Sequence, residues 1–188
     1  MGKRKSQEVR IIGGKWKGRK LRFQSAPNLR PTVGRLRETL FNWLRPDIDD
    51  ARCLDLFAGS GILGFEALSQ GARSVEFVDH SRKSCAKLAE HIELLGCQAQ
   101  SQVFCRKAQV HLKNTALSWD IVFLDPPYDD HDVMLASIEY FASLTEPPEW
   151  LYIEGRDRNA LDELFASFSL NVAKDSRTGD AHGHLCYF

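Results

Sequence analysis

The sequence predicts a doubly wound α/β domain that carries a basic β-hairpin at its N-terminus, and three observations predict it. Beyond Asp50, short apolar runs alternate with stretches of helical periodicity, the pattern of parallel strands joined by right-handed crossover helices. A glycine loop follows the first of these runs at the point where strand gives way to helix. Residues 1–45 hold 13 Lys and Arg against two Glu, whereas the remainder holds 12 against 23, so a chain of zero net charge joins a basic arm to an acidic body.

From Val9 to Gln24 the arm reads as two short strands around Gly13–Gly18, whose glycines suit a tight turn. Ile11, Ile12, Trp16, Leu21 and Phe23 interleave its charges as a folded element would. After Pro27 and Pro31, Thr32 is a plausible N-cap, and Leu36, Leu40, Phe41 and Leu44 recur at helical spacing until Pro46, with Arg35 and Arg37 facing elsewhere. Cys53–Phe57 predicts the first strand of the body, followed by a helix to about Gln70 that Gly71 closes. Val75–Asp79 is a second strand. Ser81 can cap a helix whose stripe Cys85, Leu88, Ile92 and Leu95 faces the sheet until Gly96. A third short strand lies near Val103–Phe104, and Ile121–Asp125 and Leu151–Glu154 read as strands buried on both faces. Leu170–Lys174 and Leu185–Phe188, either side of Thr178–Gly179–Asp180, predict two antiparallel strands at one edge. No internal repeat or low-complexity segment is visible.

At 188 residues the chain fits one main domain with an appendage. A hydrophobic fraction of 43% and a charged fraction of 27% belong to an ordinary globular protein, with no apolar run near the roughly 20 residues of a membrane helix. No apolar segment follows the charged first residues, so the signal-peptide pattern is missing and a cytoplasmic location is the default expectation. Five cysteines lie far apart without a C-x-x-C pair, which points to reduced, mostly buried thiols. The nearest approach to a metal-ligand cluster is Asp180, His182 and His184, and no metal is expected there. The segregated positive charge suggests a polyanionic partner, because Lys and Arg gain affinity by displacing counterions from phosphates.

In the glycine loop, Leu54 to Gly61, backbone can approach a ligand at a positive helix terminus. Gly59, Gly61 and Gly64 satisfy G-x-G-x-x-G, and Asp79 follows Gly59 at about the 20 residues expected of a ribose-binding carboxylate. That much suits NAD and S-adenosylmethionine equally. Asp55, inside an otherwise apolar strand, needs a partner, which the amino group of a methionine moiety would supply.

Asp125–Pro126–Pro127–Tyr128 ends the fourth strand, which the strand order 3-2-1-4-5 places beside the first. An exocyclic amino group on a nucleobase shares its lone pair with the ring and is a poor nucleophile. Asp125 and the Pro126 carbonyl can each accept one amino proton, drawing the nitrogen toward sp³ character and aiming its lone pair at a sulfonium methyl carbon. The prolines fix the backbone, and Tyr128 offers a face on which the base stacks. No metal and no covalent nucleophile is needed.

These motifs, together with Arg10–Leu21, Leu29–Thr32 and Arg37–Leu44, resemble class I methyltransferases, and specifically the bacterial 16S ribosomal RNA guanine-N2 methyltransferases of the RsmD type, over nearly the whole chain. The resemblance implies a Rossmann-like, mostly parallel seven-stranded sheet with helices on both faces and an antiparallel C-terminal edge. It implies an arm of residues 1–30 that contacts RNA and a methyltransferase domain of residues 31–188. S-adenosylmethionine would be held by Asp55, Phe57, Ala58, Gly59, Ser60, Gly61, Asp79, His80 and Ala108, with Lys107 standing where many relatives have an acidic or amide residue. Asp125, Pro126, Pro127 and Tyr128 would form the catalytic site. RNA would be gripped by Arg10, Lys15, Trp16, Lys17, Arg19, Lys20, Arg30, Thr32, Arg35 and Arg37. The substrate would be the N2 amino group of one guanine of 16S ribosomal RNA in an assembled or assembling small subunit, and the enzyme a monomer. Three alternatives stay open at this stage: a DNA adenine-N6 methyltransferase, a non-catalytic RNA-binding assembly factor, and an NAD-dependent oxidoreductase.

Overall fold

A computed structural model describes residues 6–24, 32–115, 118–126 and 131–188. Strands β1 (Ser6–Arg10) and β2 (Lys20–Gln24) form the N-terminal hairpin, paired from Ser6–Gln24 to Arg10–Lys20. Helix α1 (Thr32–Trp43) leads into the body, where β3 (Arg52–Asp55), α2 (Ile62–Ser69), β4 (Ser74–Asp79), α3 (Arg82–Leu95), β5 (Ser101–Cys105), α4 (Ala108–Lys113), β6 (Ile121–Leu124), α5 (His131–Ala142), β7 (Trp150–Gly155) and α6 (Arg158–Ser167) alternate. Strands β8 (Asn171–Thr178) and β9 (Ala181–Tyr187) close the chain.

The second sheet has seven strands in the order β5-β4-β3-β6-β7-β9-β8. Pairing is parallel from β5 to β7 and antiparallel for β9 with both its neighbours. The 3-2-1-4-5 expectation and the antiparallel edge are both present. The last strand inserts between β7 and β8 rather than extending the edge, and both closing strands are longer than their sequence patterns suggest.

Alternation of side chains along the strands divides the core in two. On one face Cys53, Phe77, Ile121, Phe123 and Tyr152 pack with Leu40 and Phe41 of α1, Phe65 and Leu68 of α2, and Leu88 and Ile92 of α3. On the other, Leu54, Val78, Val122, Leu124 and Ile153 pack with α4, α5 and α6. Ile11, Leu21 and Phe23 of the hairpin belong to the first cluster. Their burial explains why α2 is buried along nearly its whole length, Leu63 through Ser69, rather than on one stripe. No helix among the described residues is long and apolar enough to cross a membrane.

Candidate active site

The glycine loop grows directly out of β3. Asp55 pairs with Phe123 across β3–β6, and the Leu56 N–H donates to the Phe123 carbonyl at 3.3 Å, so the loop begins against β6 two residues before Asp125. The two sequence motifs therefore meet at the carboxyl ends of adjacent strands, at the switch point of the sheet. On the other side the Ala58 N–H donates to the Val78 carbonyl at 2.9 Å, which ties the loop to β4. Gly61 enters α2 at φ 77°, where a Cβ would come within 2.4 Å of Leu88 and 2.6 Å of Phe65. Only glycine makes that turn against the α3 packing.

Asp55 is 3% exposed and accepts the Gly64 N–H at 3.1 Å. Burial, with Asp79 nearby, pushes its pKa up to about 7, against the opposing pull of the Gly64 hydrogen bond. Asp79 accepts the Gly59 N–H at 2.9 Å and the Ser81 N–H at 2.7 Å, locking the loop to the start of α3. Phe57 and Ser60 are half-buried, Ala58 is buried, and Gly59 and His80 are exposed. Ala108 is buried at the first turn of α4, and below it His111 Nε2 lies 2.9 Å from Glu76 Oε2, anchoring α4 to β4.

Asp125 stands just past β6 with Pro126 buried behind it. Burial, then the charges of Glu154 and Asp55, hold its pKa well above the ordinary carboxylate range. Pro127 and Tyr128 lie outside the described residues, as do Arg30 and the side chain of Thr32. Among the described residues no group of three or more His, Cys, Asp or Glu could hold a metal ion.

The RNA-facing assignments divide. Arg10, Lys15, Lys17, Arg19, Lys20 and Arg35 are exposed and Trp16 is half-buried. Arg37 is 5% exposed, contrary to its expected outward placement. Its Nε lies 3.3 Å from Glu66 Oε1 and its Nη2 donates to the Arg10 carbonyl at 2.9 Å. The docked hairpin seals that helix face, so this guanidinium is spent inside the protein. Glu66, fully buried, accepts the Ile12 N–H at 2.7 Å and the Gly13 N–H at 3.3 Å. Ser69 completes the clasp, accepting the Trp16 N–H at 2.9 Å and donating to the Gly13 carbonyl at 2.6 Å.

This clasp sets the hairpin's direction. Its turn sits at the C-terminal end of α2, about 12 Å from the glycine loop at the other end, given eight residues at 1.5 Å each. Arg19 reaches the Leu94 carbonyl and Arg22 lies against His91, so β2 runs back along α3 and its open end points toward the site. Glu66 and Glu154 were unmarked in the sequence, yet each is a lone carboxylate in an apolar run, the same signal that singled out Asp55.

The family model described as Conserved hypothetical protein 95 matches residues 9–186. Ribosomal RNA small subunit methyltransferase D of Escherichia coli (strain K12) is 39% identical over 175 residues, 90% of this chain and 85% of that protein. The protein of the same description from Haemophilus influenzae is 46% identical over 124 residues, 64% of each chain. A solved Escherichia coli structure, designated yhhF and provisionally assigned as a methyltransferase, superposes with a TM-score of 0.83 at 33% identity, covering 96% of this chain and 97% of that one.

Proposed function

The chain belongs to the Conserved hypothetical protein 95 family, the RsmD family of the sequence resemblance, and we propose that it is a methyltransferase using S-adenosylmethionine on small-subunit ribosomal RNA, at the N2 amino group of one guanine. The single observation that carries the site assignment is the meeting of Asp125 with the Asp55–Gly61 loop across β3–β6.

The residues fit the cofactor. Asp55 is a buried carboxylate that gains a partner in an ammonium group. Asp79 ends β4 where ribose hydroxyls can donate to it, exposed Gly59, with nothing but the Phe57 carbonyl within 4 Å of where a Cβ would stand, leaves the backbone open to close approach, and Ala108 starts α4 on the adenine side. S-adenosylmethionine supplies an electrophilic methyl group on a sulfonium. Asp125 and the Pro126 carbonyl accept the two amino protons of the base and orient its lone pair. Transfer of that methyl group would leave the amino nitrogen with one proton to lose, and Asp125, already accepting an amino proton, would take it. Positioning of the two reactants supplies most of the acceleration, on the order of 7–11 kcal/mol, and the base must leave its stack to reach the site. In this reading residues 1–30 grip RNA, residues 31–188 perform the chemistry, and the substrate is an assembled or assembling small subunit met by a monomer. Tyr128 would stack on the base.

The test is transfer from labelled cofactor to small subunits lacking the modification, with mass-spectrometric mapping of the methylated nucleotide. Label in duplex DNA and none in the subunit would overturn the assignment.

Two further outcomes are expected. Asp55 must be ionised to hold an ammonium, so with a pKa of about 7 cofactor affinity should rise about 25-fold between pH 5.5 and 7.5, and calorimetry of Asp55→Asn should give a weak, flat profile. The free protein should respond in the opposite sense: an acid whose pKa is raised on folding stabilises the fold fully below its unfolded pKa. That contribution is lost as pH climbs from the ordinary aspartate value of 3.8 through about 7. For the arm, Lys17 is exposed at the hairpin turn. Lys17→Gln should flatten the slope of log affinity against log salt by about one unit if it neutralises a phosphate; an unchanged slope in filter-binding titrations removes it from the interface.

A further inference from the structure

The carboxyl next to Asp125 has no part in the mechanism above. The β6–β7 register pairs Phe123 with Tyr152 and Leu124 with Ile153, so Asp125 and Glu154 are the next pair along. Neighbouring strands lie about 4.8 Å apart and residues in register share a face, so the two carboxyls emerge side by side, on the face that Asp55 shares. Glu154 is 5% exposed. Its Oε2 accepts the Tyr152 hydroxyl at 2.8 Å, while its Oε1 is buried and accepts no hydrogen bond among the described residues.

A buried acceptor left open is costly, and here the surroundings hold it in place. Gly183 pairs with Glu154 across β7–β9, and a Cβ there would lie 2.8 Å from the Tyr152 hydroxyl and 3.0 Å from Leu36. Glycine keeps the space in which Tyr152 holds Glu154. Burial raises the Glu154 pKa above its ordinary value, and the Tyr152 hydroxyl, then the Arg156 guanidinium, pull the other way, toward the ionised carboxylate.

We propose that Glu154 reads the substrate base, its Oε1 accepting the ring N1–H that guanine presents beside its amino group. This deepens the methyl-transfer reading and rests on it. Guanine offers two adjacent kinds of donor on one edge, the N1–H and the 2-amino group, to two adjacent carboxyls. The amino groups of adenine and cytosine instead adjoin a ring nitrogen that bears a lone pair, which a carboxylate repels. The acceptor pair Asp125 and Glu154 thus selects guanine by rejecting bases that leave a buried acceptor unpaired.

Small subunits reconstituted with guanine or 2,6-diaminopurine at the target nucleotide test this, because 2,6-diaminopurine keeps the 2-amino group but has no N1–H. Wild-type protein should favour guanine by about 100-fold in kcat/KM. Glu154→Gln places an amide donor where Oε1 was, so guanine should lose about tenfold or more, 2,6-diaminopurine should gain, and the preference should collapse or invert. A variant that keeps the wild-type preference, or loses both substrates in equal proportion while melting and cofactor binding are normal, overturns the proposal. Should Glu154→Gln fail to fold, Tyr152→Phe, which frees Oε2, must still shrink the preference several-fold, and an unchanged preference overturns the proposal equally. Wild-type protein that methylates neither subunit brings down the methyl-transfer reading and this inference together. An active wild type with insensitive variants brings down this inference alone.

Discussion

Asp125→Ala is expected to lower the single-turnover rate of methyl transfer by about 10²–10⁴-fold, the range for losing a group that handles the proton of the reacting atom. The variant should fold and bind cofactor as the wild type does. Asp125 follows the last residue of β6, so no pairing within the sheet depends on its side chain. Its carboxyl is disfavoured where it stands, by burial first and then by Glu154 and Asp55, so removing it relieves repulsion and the melting temperature should hold or rise. Only the ionised form accepts an amino proton. The wild-type rate should therefore climb as pH passes upward through the raised pKa of Asp125, and Asp125→Asn should abolish that climb. Quenched-flow transfer from labelled cofactor, with calorimetry on the same preparations, checks each part. Undiminished transfer by Asp125→Ala would place the chemistry elsewhere.

Glu66→Ala should cost about 3–5 kcal/mol of stability, because it strands a buried guanidinium without its counterion. In a domain of this size that is roughly a 10 °C fall in melting temperature. Besides Arg37, the variant abandons the Ile12 and Gly13 N–H groups. The hairpin should loosen from α2, seen as earlier proteolysis within residues 6–24 and an RNA affinity that falls further than cofactor affinity. Removing both charges with Glu66→Ala and Arg37→Met should be milder than Glu66→Ala alone, since no buried charge is then unpaired. Equal melting of wild type and Glu66→Ala would mean that the clasp contributes nothing.

By itself, the sequence determined the alternation of strands and helices, the glycine loop and the identity of its carboxylates. Each is written in local pattern: a period, a turn residue, a charge inside an apolar run. The strand order expected of a doubly wound sheet, 3-2-1-4-5, is what places Asp55 and Asp125 together from sequence alone. Local pattern says which face of an element is apolar but not what will cover its other face. Arg37 lies off the stripe of Leu36, Leu40 and Phe41 and reads as exposed, yet the hairpin closes over it and Glu66 neutralises it. Glu154 carried the same signal as Asp55, but its place beside Asp125 depends on the β6–β7 register, and its open Oε1 on Tyr152 and Gly183 from a strand some 30 residues away. Only the tertiary structure decided which buried charges share a site, because the partner that desolvates or satisfies each one comes from a distant part of the chain.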